Sequence, residues 1–225
     1  MRDWDWFLNE IRWFLQDGDT AVVGNERRWE RPAVEGLPQL SDLLNAATVT
    51  SVTVSDTAYE LLAWGPPARR RGWLARRPVR PQESLGAIDP VHQAFWSACG
   101  GIVERFGEPE SWWLSHTEVL TVEAARTSIA EPLDAYSWIW EQDGLTIPIQ
   151  ADDYYVAAIE GNGNLTLAPR HGGRLLLFAP DHAFDNISPL AGCPEYSLYT
   201  FDNQPDLASW IETCAGAWLQ DPPAA

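Results

Sequence analysis

Histidine and cysteine side chains are the groups of this sequence that could bind a metal ion or attack a substrate. They are His92, His116, His171, His182, Cys99, Cys193 and Cys214. The histidines lack the i, i+4 spacing of a zinc-binding helix, and the cysteines lack the close pairs of a zinc knuckle. Even with the carboxylates of Asp181 and Asp185 nearby, this spacing predicts structural or surface roles. We therefore predict no metal and no other cofactor.

Cys99 is the candidate nucleophile, with His116 or His182 as the base that would activate it. It lies at the predicted end of a helix, just before Gly100 and Gly101. A helix C-terminus raises the pKa of a thiol and so disfavours the reactive thiolate. The chain also lacks the Gly-x-Ser-x-Gly elbow of serine hydrolases. We expect no catalytic residue, and a hydrolase of an unrecognised family is the alternative.

Two further short patterns have both a chemical and a structural interpretation. The stretch 161–164, Gly-Asn-Gly-Asn, has the glycines of a phosphate-binding loop, but such a loop leads into a helix and here a strand pattern follows. It predicts a hairpin turn. Asp152 and Asp153 could supply an acid and a base, but adjacent residues of a strand point to opposite faces. They are therefore expected to face a partner or water.

A partner-binding surface is predicted from these acids and from aromatic residues near them. Its acidic members are Asp152, Asp153, Glu160, Asp181 and Asp185, and its aromatic anchors are Trp112, Tyr154 and Tyr155. Aromatic side chains of this kind dominate the binding energy of many protein interfaces. The expected partner is a protein.

Charge is unevenly distributed along the chain. Residues 1–88 contain eleven Arg and twelve acidic residues, for a net charge of −1, whereas residues 89–225 contain four Arg and twenty acidic residues, for a net charge of −16. Such a field repels nucleic acid and anionic membrane, and it speeds encounter with a cationic partner. Solubility is the alternative reason for the charge.

An Arg-rich segment interrupts this pattern between Pro66 and Pro81. Its residues Arg69, Arg70, Arg71, Arg76, Arg77 and Arg80 surround Gly72-Trp73-Leu74. Arginine pairs with phosphate and tryptophan stacks on bases, so contact with RNA or phosphate is one interpretation. The other is an exposed loop that pairs with the acidic part of the same chain. The second is favoured because the chain as a whole is acidic.

The elements that position these residues predict an α+β fold, an antiparallel-rich mixed sheet flanked by helices, with an N-terminal helix and hairpin extension. In the first half we predict helices over 3–16, 41–47 and 90–99, and a hairpin of strands 48–54 and 59–64. In the second half we predict strands over 112–114, 136–140, 145–149, 154–160, 165–168, 174–179 and 198–201, and helices over 117–128 and 203–219. The closing helix has an apolar stripe of Leu207, Trp210, Ile211, Cys214 and Trp218.

Three segments are predicted from this pattern: an α+β extension over 1–65, an Arg/Pro-rich linker or loop over 66–88, and an acidic domain over 89–225. The N-terminus has acids where a signal peptide would be uninterruptedly basic, and no apolar run approaches the roughly 18 residues of a membrane span. The cysteines are widely spaced and odd in number. These features favour a cytoplasmic protein with no membrane contact.

Four stretches follow one another along the acidic domain: Phe95-Trp96-Ser97-Ala98-Cys99-Gly100-Gly101, Ile147-Pro148-Ile149-Gln150-Ala151-Asp152-Asp153-Tyr154-Tyr155, an apolar strand running into Asp181-His182, and Asp206-Leu207-Ala208-Ser209-Trp210-Ile211. In this order the domain resembles the SUKH superfamily of bacterial immunity proteins and relatives of yeast cell-wall regulators. The resemblance covers about 130 residues and leaves residues 1–88 without a counterpart.

The resemblance implies a domain that binds a protein without a shared catalytic set. That protein is often a toxin neutralised inside the producing cell. Because nuclease toxins are commonly basic, a domain with net charge −16 suits this role. The prediction is an immunity protein that binds a basic toxin. A scaffold that self-associates through exposed tryptophans is a further alternative.

Overall fold

The computed structural model describes residues 1–80, 83–109, 116–181 and 185–220. Its helices are α1 (Asp3–Glu10), α2 (Pro38–Asn45), α3 (Pro90–Ala98), α4 (Val122–Arg126), α5 (Ala130–Ala135), α6 (Trp138–Gln142) and α7 (Leu207–Leu219). Its strands are β1 (Ala21–Arg28), β2 (Thr48–Val54), β3 (Thr57–Trp64), β4 (Arg71–Arg76), β5 (Ile102–Phe106), β6 (His116–Val119), β7 (Tyr154–Glu160), β8 (Leu165–Pro169), β9 (Leu176–Phe178), β10 (Ile187–Pro189) and β11 (Leu198–Phe201). Single 3₁₀ turns occupy Pro67–Arg69, Glu83–Leu85 and Ala151–Asp153.

One sheet contains all of these strands, in the order β1-β2-β3-β4-β5-β6-β7-β8-β9-β11-β10. Every neighbouring pair is antiparallel, so the predicted α+β class is confirmed and the sheet of the described residues is antiparallel throughout. From β1 to β9 the spatial order follows the chain order, because each strand returns beside the one before it. The sheet therefore continues without interruption across positions 65 and 89.

Strand alternation divides the core between two faces of the sheet. On β2, Val49 packs on one face with α2, α3 and α7, and Val52 and Val54 pack on the other with α1. The face with α2, α3 and α7 is the front face, and its core extends from β2 to β11. On the back face, α1 covers the N-terminal strands, while α5 and α6 cover β7, β8, β9 and β11.

Helix α7 docks on the front face as its apolar stripe predicts. Trp210, Ile211, Cys214 and Trp218 are all fully buried. The Trp218 ring contacts the rings of two tryptophans from β3 and β4, edge to face, with centroids 5.4 and 5.7 Å away. The Asp206 carboxylate caps the start of the helix by accepting a hydrogen bond of 2.8 Å from the Ser209 N–H.

The two terminal parts of the chain are joined through α2 and α7. The Glu212 carboxylate of α7 accepts hydrogen bonds from the N–H groups of Gln39 and Leu40, at 2.9 and 3.1 Å. These are N–H groups of the first turn of α2, which have no partner within their own helix. A carboxylate 172 residues further along the chain thus satisfies the start of α2.

The hairpin, β7, β11 and the helix from Pro90 are also confirmed, with the hairpin turning at Ser55 and Asp56 in the left-handed region. The turn over 161–164 joins β7 to β8, which confirms that stretch as a hairpin turn. These predictions succeed because each pattern is local: alternation within one strand, or capping within one helix.

Several predicted elements are wrong. The segment 136–140 is not a strand, because α6 begins at Trp138, and no strand forms over 145–149, where Pro148 has no N–H for a sheet ladder. The predicted helix over 117–128 is strand β6 followed by α4, separated at Leu120, whose φ is 54°. The opening helix ends at Glu10 instead of residue 16. The strand predicted over 112–114 lies outside the described residues.

The Arg-rich segment is also different from the predicted loop, because β4 is an internal strand between β3 and β5. Gly72 is required there: a Cβ at this position would lie 2.0 Å from the Leu62 carbonyl oxygen. Trp73 is fully buried in the front core. In the sequence, the glycine and the arginines suggest a loop. In the fold, Gly72 allows β3 and β4 to pack closely, and Arg71 and Arg76 stand at the two ends of β4.

Within the described residues, no helix combines the length and the apolar character that crossing a lipid bilayer would require.

Candidate functional site

Asp152 and Asp153 are exposed at the start of β7, in the 3₁₀ turn that leads into this strand. The turn is fixed to the neighbouring strand, since the Arg170 N–H donates to the Asp153 carbonyl oxygen at 2.8 Å. Tyr154 follows and is half-buried. Burial, with a smaller contribution from the Asp153 charge, raises the pKa of the Tyr154 hydroxyl, which therefore stays protonated near neutral pH. Asp152 and Asp153 are exposed and Tyr154 is partly exposed, so a partner can reach all three.

A cleft of about 290 Å³ opens beside this turn, between it and the segment that joins α4 to α5. Asp152, Tyr154, Thr127 and Ser128 contribute polar groups to its wall. Arg170 also lines it, but its guanidinium donates to the carbonyl oxygens of residues 85 and 87, at 2.7 and 2.9 Å. The wall of the cleft contains both hydrogen-bond donors and acceptors. Among the described lining residues there is no His or Cys to act as a base or nucleophile.

Tyr155 and Glu160 are placed in the interior, which corrects their assignment to the binding surface. Tyr155 is 1% exposed on the front face beneath α3, and Glu160 is 4% exposed, with its carboxylate accepting a hydrogen bond from the Asn164 side chain at 3.1 Å. The cause is the position of β7 in the sheet, where helices cover both faces. Neither side chain can contact a partner in this fold.

The two remaining acids of the predicted surface lie far from Asp152. Asp181 follows β9. Phe178 of β9 pairs with Leu165 of β8, which in turn pairs with Ile159 near the end of β7. Asp181 therefore lies toward the end of β7 that is opposite to Asp152, and β7 is about 20 Å long. Asp185 precedes β10, which is four strands from β7 and so about 19 Å away across the sheet. The predicted acids therefore do not form one surface. Trp112 lies outside the described residues.

Exposed apolar side chains lie on or beside α5 and α6 on the back face. They are Tyr136 (38% exposed), Trp138 (49%) and Leu145 (37%). Tyr196 is 50% exposed as well, but its N–H donates to the Tyr199 hydroxyl at 2.6 Å, and Tyr199 packs in the front core. Tyr196 therefore does not lie with them on the back face.

Acidic side chains surround these apolar residues. Glu131, Asp134, Glu141 and Asp143 are all exposed. We call these seven residues the acidic aromatic surface. There is no basic residue over 127–169, the segment that contains it. The sequence contained one signal of this surface, the long absence of arginine, but the incorrect strand over 136–140 concealed which aromatic side chains face outward.

The candidate nucleophile Cys99 is buried, and burial raises the pKa of its thiol to about 12. His92 is fully buried as well, and burial lowers its pKa to about 4, so the ring is neutral near pH 7. Its Nε2–H donates to the Leu120 carbonyl oxygen and its Nδ1 accepts from the Tyr155 hydroxyl, each at 3.1 Å. Trp96 donates to the same carbonyl at 2.6 Å. This network is a structural one, in the core of the front face.

His116 is also buried, with its ring edge-on to Trp210, and His182 lies outside the described residues. In the part of the chain that the structure describes, no three His, Cys, Asp or Glu side chains are grouped so that they could hold a metal ion. The three cysteines are free thiols.

The arginines of the Arg-rich segment mostly make contacts within the chain. Arg70 forms an ion pair of 2.7 Å with Asp3; burial raises the pKa of Asp3, but hydrogen bonds from Arg70 and Thr48 lower it overall. Arg71 is buried and donates to the Gln220 carbonyl oxygen at 2.7 Å, and the Arg76 guanidinium lies 4.9 Å above the Tyr59 ring. Because Trp73 is buried in β4, it cannot stack on a base as an RNA-binding site would require.

Comparison of the chain with models of protein families, with curated proteins and with solved structures gave no match. The resemblance to the SUKH superfamily therefore depends on the sequence stretches alone.

Proposed function

We propose that this chain is a non-catalytic cytoplasmic protein that neutralises a basic toxin by binding it directly, in the manner of the SUKH immunity proteins. The observation that carries the proposal is the net charge of −16 over residues 89–225. An immunity protein must bind its toxin before the toxin reaches its target, so a fast encounter is part of its function. Opposite net charge provides that speed.

At least two of the four basic side chains of the acidic half have partners within the fold, and the large excess of acids remains. Arg105 is buried and forms an ion pair with Glu108, and it also donates to the His116 carbonyl oxygen. Arg170 donates to the two backbone carbonyls beside the cleft. Arg126 and Arg174 are the arginines of this half with exposed side chains.

The proposal is tested with the toxin domain encoded beside this gene, where the neighbouring gene specifies a large secreted protein with a variable C-terminal domain. We expect co-expression of this chain to restore growth, and the association rate of the purified pair to fall steeply between low and high salt. Growth that is not restored, with no complex detected by calorimetry, would reject the function. Turnover of a substrate that is lost with a single His or Cys would reject the non-catalytic interpretation.

A further inference from the structure

We infer that the acidic aromatic surface on and beside α5 and α6 is the docking site for a cationic partner protein. This inference rests on the proposed function and gives it a location. The partner chemistry that fits is a face rich in Lys or Arg that also presents aliphatic or aromatic side chains.

The apolar part of the argument is the concentration of exposed side chains. Eight large apolar residues of the described structure are more than a third exposed, and three of them belong to this surface. One is Tyr and one is Trp, residue types that often dominate the energy of protein interfaces. Scattered exposed apolar residues are ordinary, but a group of three within one ten-residue segment is typical of an interaction site.

The aromatic side chains project from a rigid support. On α6, Ile139 and Trp140 are buried against β7, β8 and β9, and they hold the helix in place while Trp138 points outward. The Tyr136 ring is edge-on to Phe178 of β9, with centroids 5.9 Å apart. Anchors held in this way lose little conformational entropy on binding, which favours affinity.

Charge identifies the kind of partner. Four exposed carboxylates lie in the same segment as the three apolar side chains, and residues 127–169 contain no Arg or Lys. A Lys or Arg of the partner would gain from these carboxylates and from the faces of Trp138 and Tyr136, through cation–π attraction. An anionic membrane or a nucleic acid would be repelled. The cleft beside Asp152 differs, because Arg126 and Arg170 line it together with the acid.

The experiment uses an amphipathic helical peptide with lysines on one face and leucines on the other, and a matched peptide with glutamates in place of the lysines. Amide chemical shifts of the labelled full chain are followed during each titration. We expect the lysine peptide to perturb residues 131–145, and the glutamate peptide to leave them unchanged. Shifts confined to the cleft or to other parts of the sheet would overturn the inference.

Variants sharpen the test. Trp138→Ala should weaken binding of the lysine peptide by about tenfold or more, since aromatic anchors often carry this much energy. The control is Trp13→Ala, which removes a tryptophan that is 64% exposed and lies outside this surface, and it should leave affinity unchanged. Glu141→Lys should weaken binding, with Asp17→Lys as the control of equal charge. Melting curves confirm that each variant is folded.

The outcomes separate the location from the function. Affinity that falls in Trp138→Ala and Glu141→Lys but not in the two controls supports the inference. If those variants bind normally and Asp152→Lys with Asp153→Lys abolishes binding, the location is wrong and the proposed function stands. If the unmodified chain binds neither the lysine peptide nor the toxin domain, both are wrong.

Discussion

Helices α7 and α6 both carry tryptophans and both pack on the same sheet, yet they use them in opposite ways. In α7, Trp210 and Trp218 are fully buried in the front core, whereas in α6 Trp140 is buried and Trp138 is half exposed. The difference arises from length and amphipathicity: α7 has a continuous apolar stripe over thirteen residues, and α6 is a single short turn on the back face. Within α6, the side of the helix that faces the sheet therefore decides which tryptophan is structural and which is available for binding.

Trp210→Ala should produce the largest effect, because it tests the buried side of this comparison. Removing a fully buried tryptophan should lower the free energy of unfolding by roughly 3–5 kcal/mol. Trp138→Ala is the matched control and should change it by less than about 0.5 kcal/mol, as exposed positions do. Urea unfolding of both variants measures the difference. Equal midpoints would show that α7 is not docked through Trp210.

Neighbouring tyrosines of β7 repeat the comparison within one strand. Tyr155→Ala should cost roughly 3 kcal/mol or more, because it empties a core site and removes the hydroxyl that donates a hydrogen bond to His92 Nδ1. Tyr154→Ala, on the half-exposed side, should cost less and should mainly speed dissociation of a bound partner. Thermal melting and dissociation rates separate the two effects. A larger loss of stability in Tyr154→Ala would contradict the placement of β7.

His92 makes the front core sensitive to pH. Its folded-state pKa is about 4, below the value of about 6.5 for an unfolded histidine, so the unfolded chain binds more protons between these values. Its contribution to stability is complete above pH 6.5 and is lost as the pH falls toward 4, by about 3 kcal/mol in all. Unfolding free energies at pH 7 and pH 4.5 should therefore differ more for the natural chain than for His92→Gln.

Carboxylates such as Glu108 and Glu118 oppose this trend, because burial raises their pKa values and their contribution grows as the pH falls. The His92→Gln variant separates the histidine from them, since both carboxylates remain. An identical pH dependence in His92→Gln and the natural chain would show that His92 does not titrate as a buried group.

Charge reversal at Asp152 and Asp153 should give the smallest effect. Because both carboxylates are exposed, Asp152→Lys with Asp153→Lys should leave stability nearly unchanged, slow association with a basic toxin by roughly twofold to tenfold and flatten its salt dependence. Asp17→Lys with Glu35→Lys makes the same change of net charge in the other half. Stopped-flow association at low and high salt compares them. A rate that ignores ionic strength would reject steering by charge.

Elements of this chain that depend on local interactions could be predicted from the sequence, and elements that depend on distant parts of the chain could not. Strand β7, the hairpin and α7 could be predicted because their own residues specify them. Strand β4 could not, since Arg71 and Gly72 resemble a loop until β3 and β5 surround them. The candidate surface could not be predicted either, because the exposure of Trp138 depends on which side of α6 meets the sheet.

The hydrogen bonds from α2 to Glu212 have a consequence for the order in which the chain can fold during synthesis. Helix α2 and strands β1 to β3 leave the ribosome early, but the carboxylate that caps α2 and the helix that covers Leu40 and Leu43 arrive nearly 170 residues later. At a translation rate of about 5–20 residues per second, this interval lasts roughly 10–30 seconds. During that time the side of α2 that contacts α7 in the folded chain is exposed to solvent, and a chaperone can bind the nascent chain there.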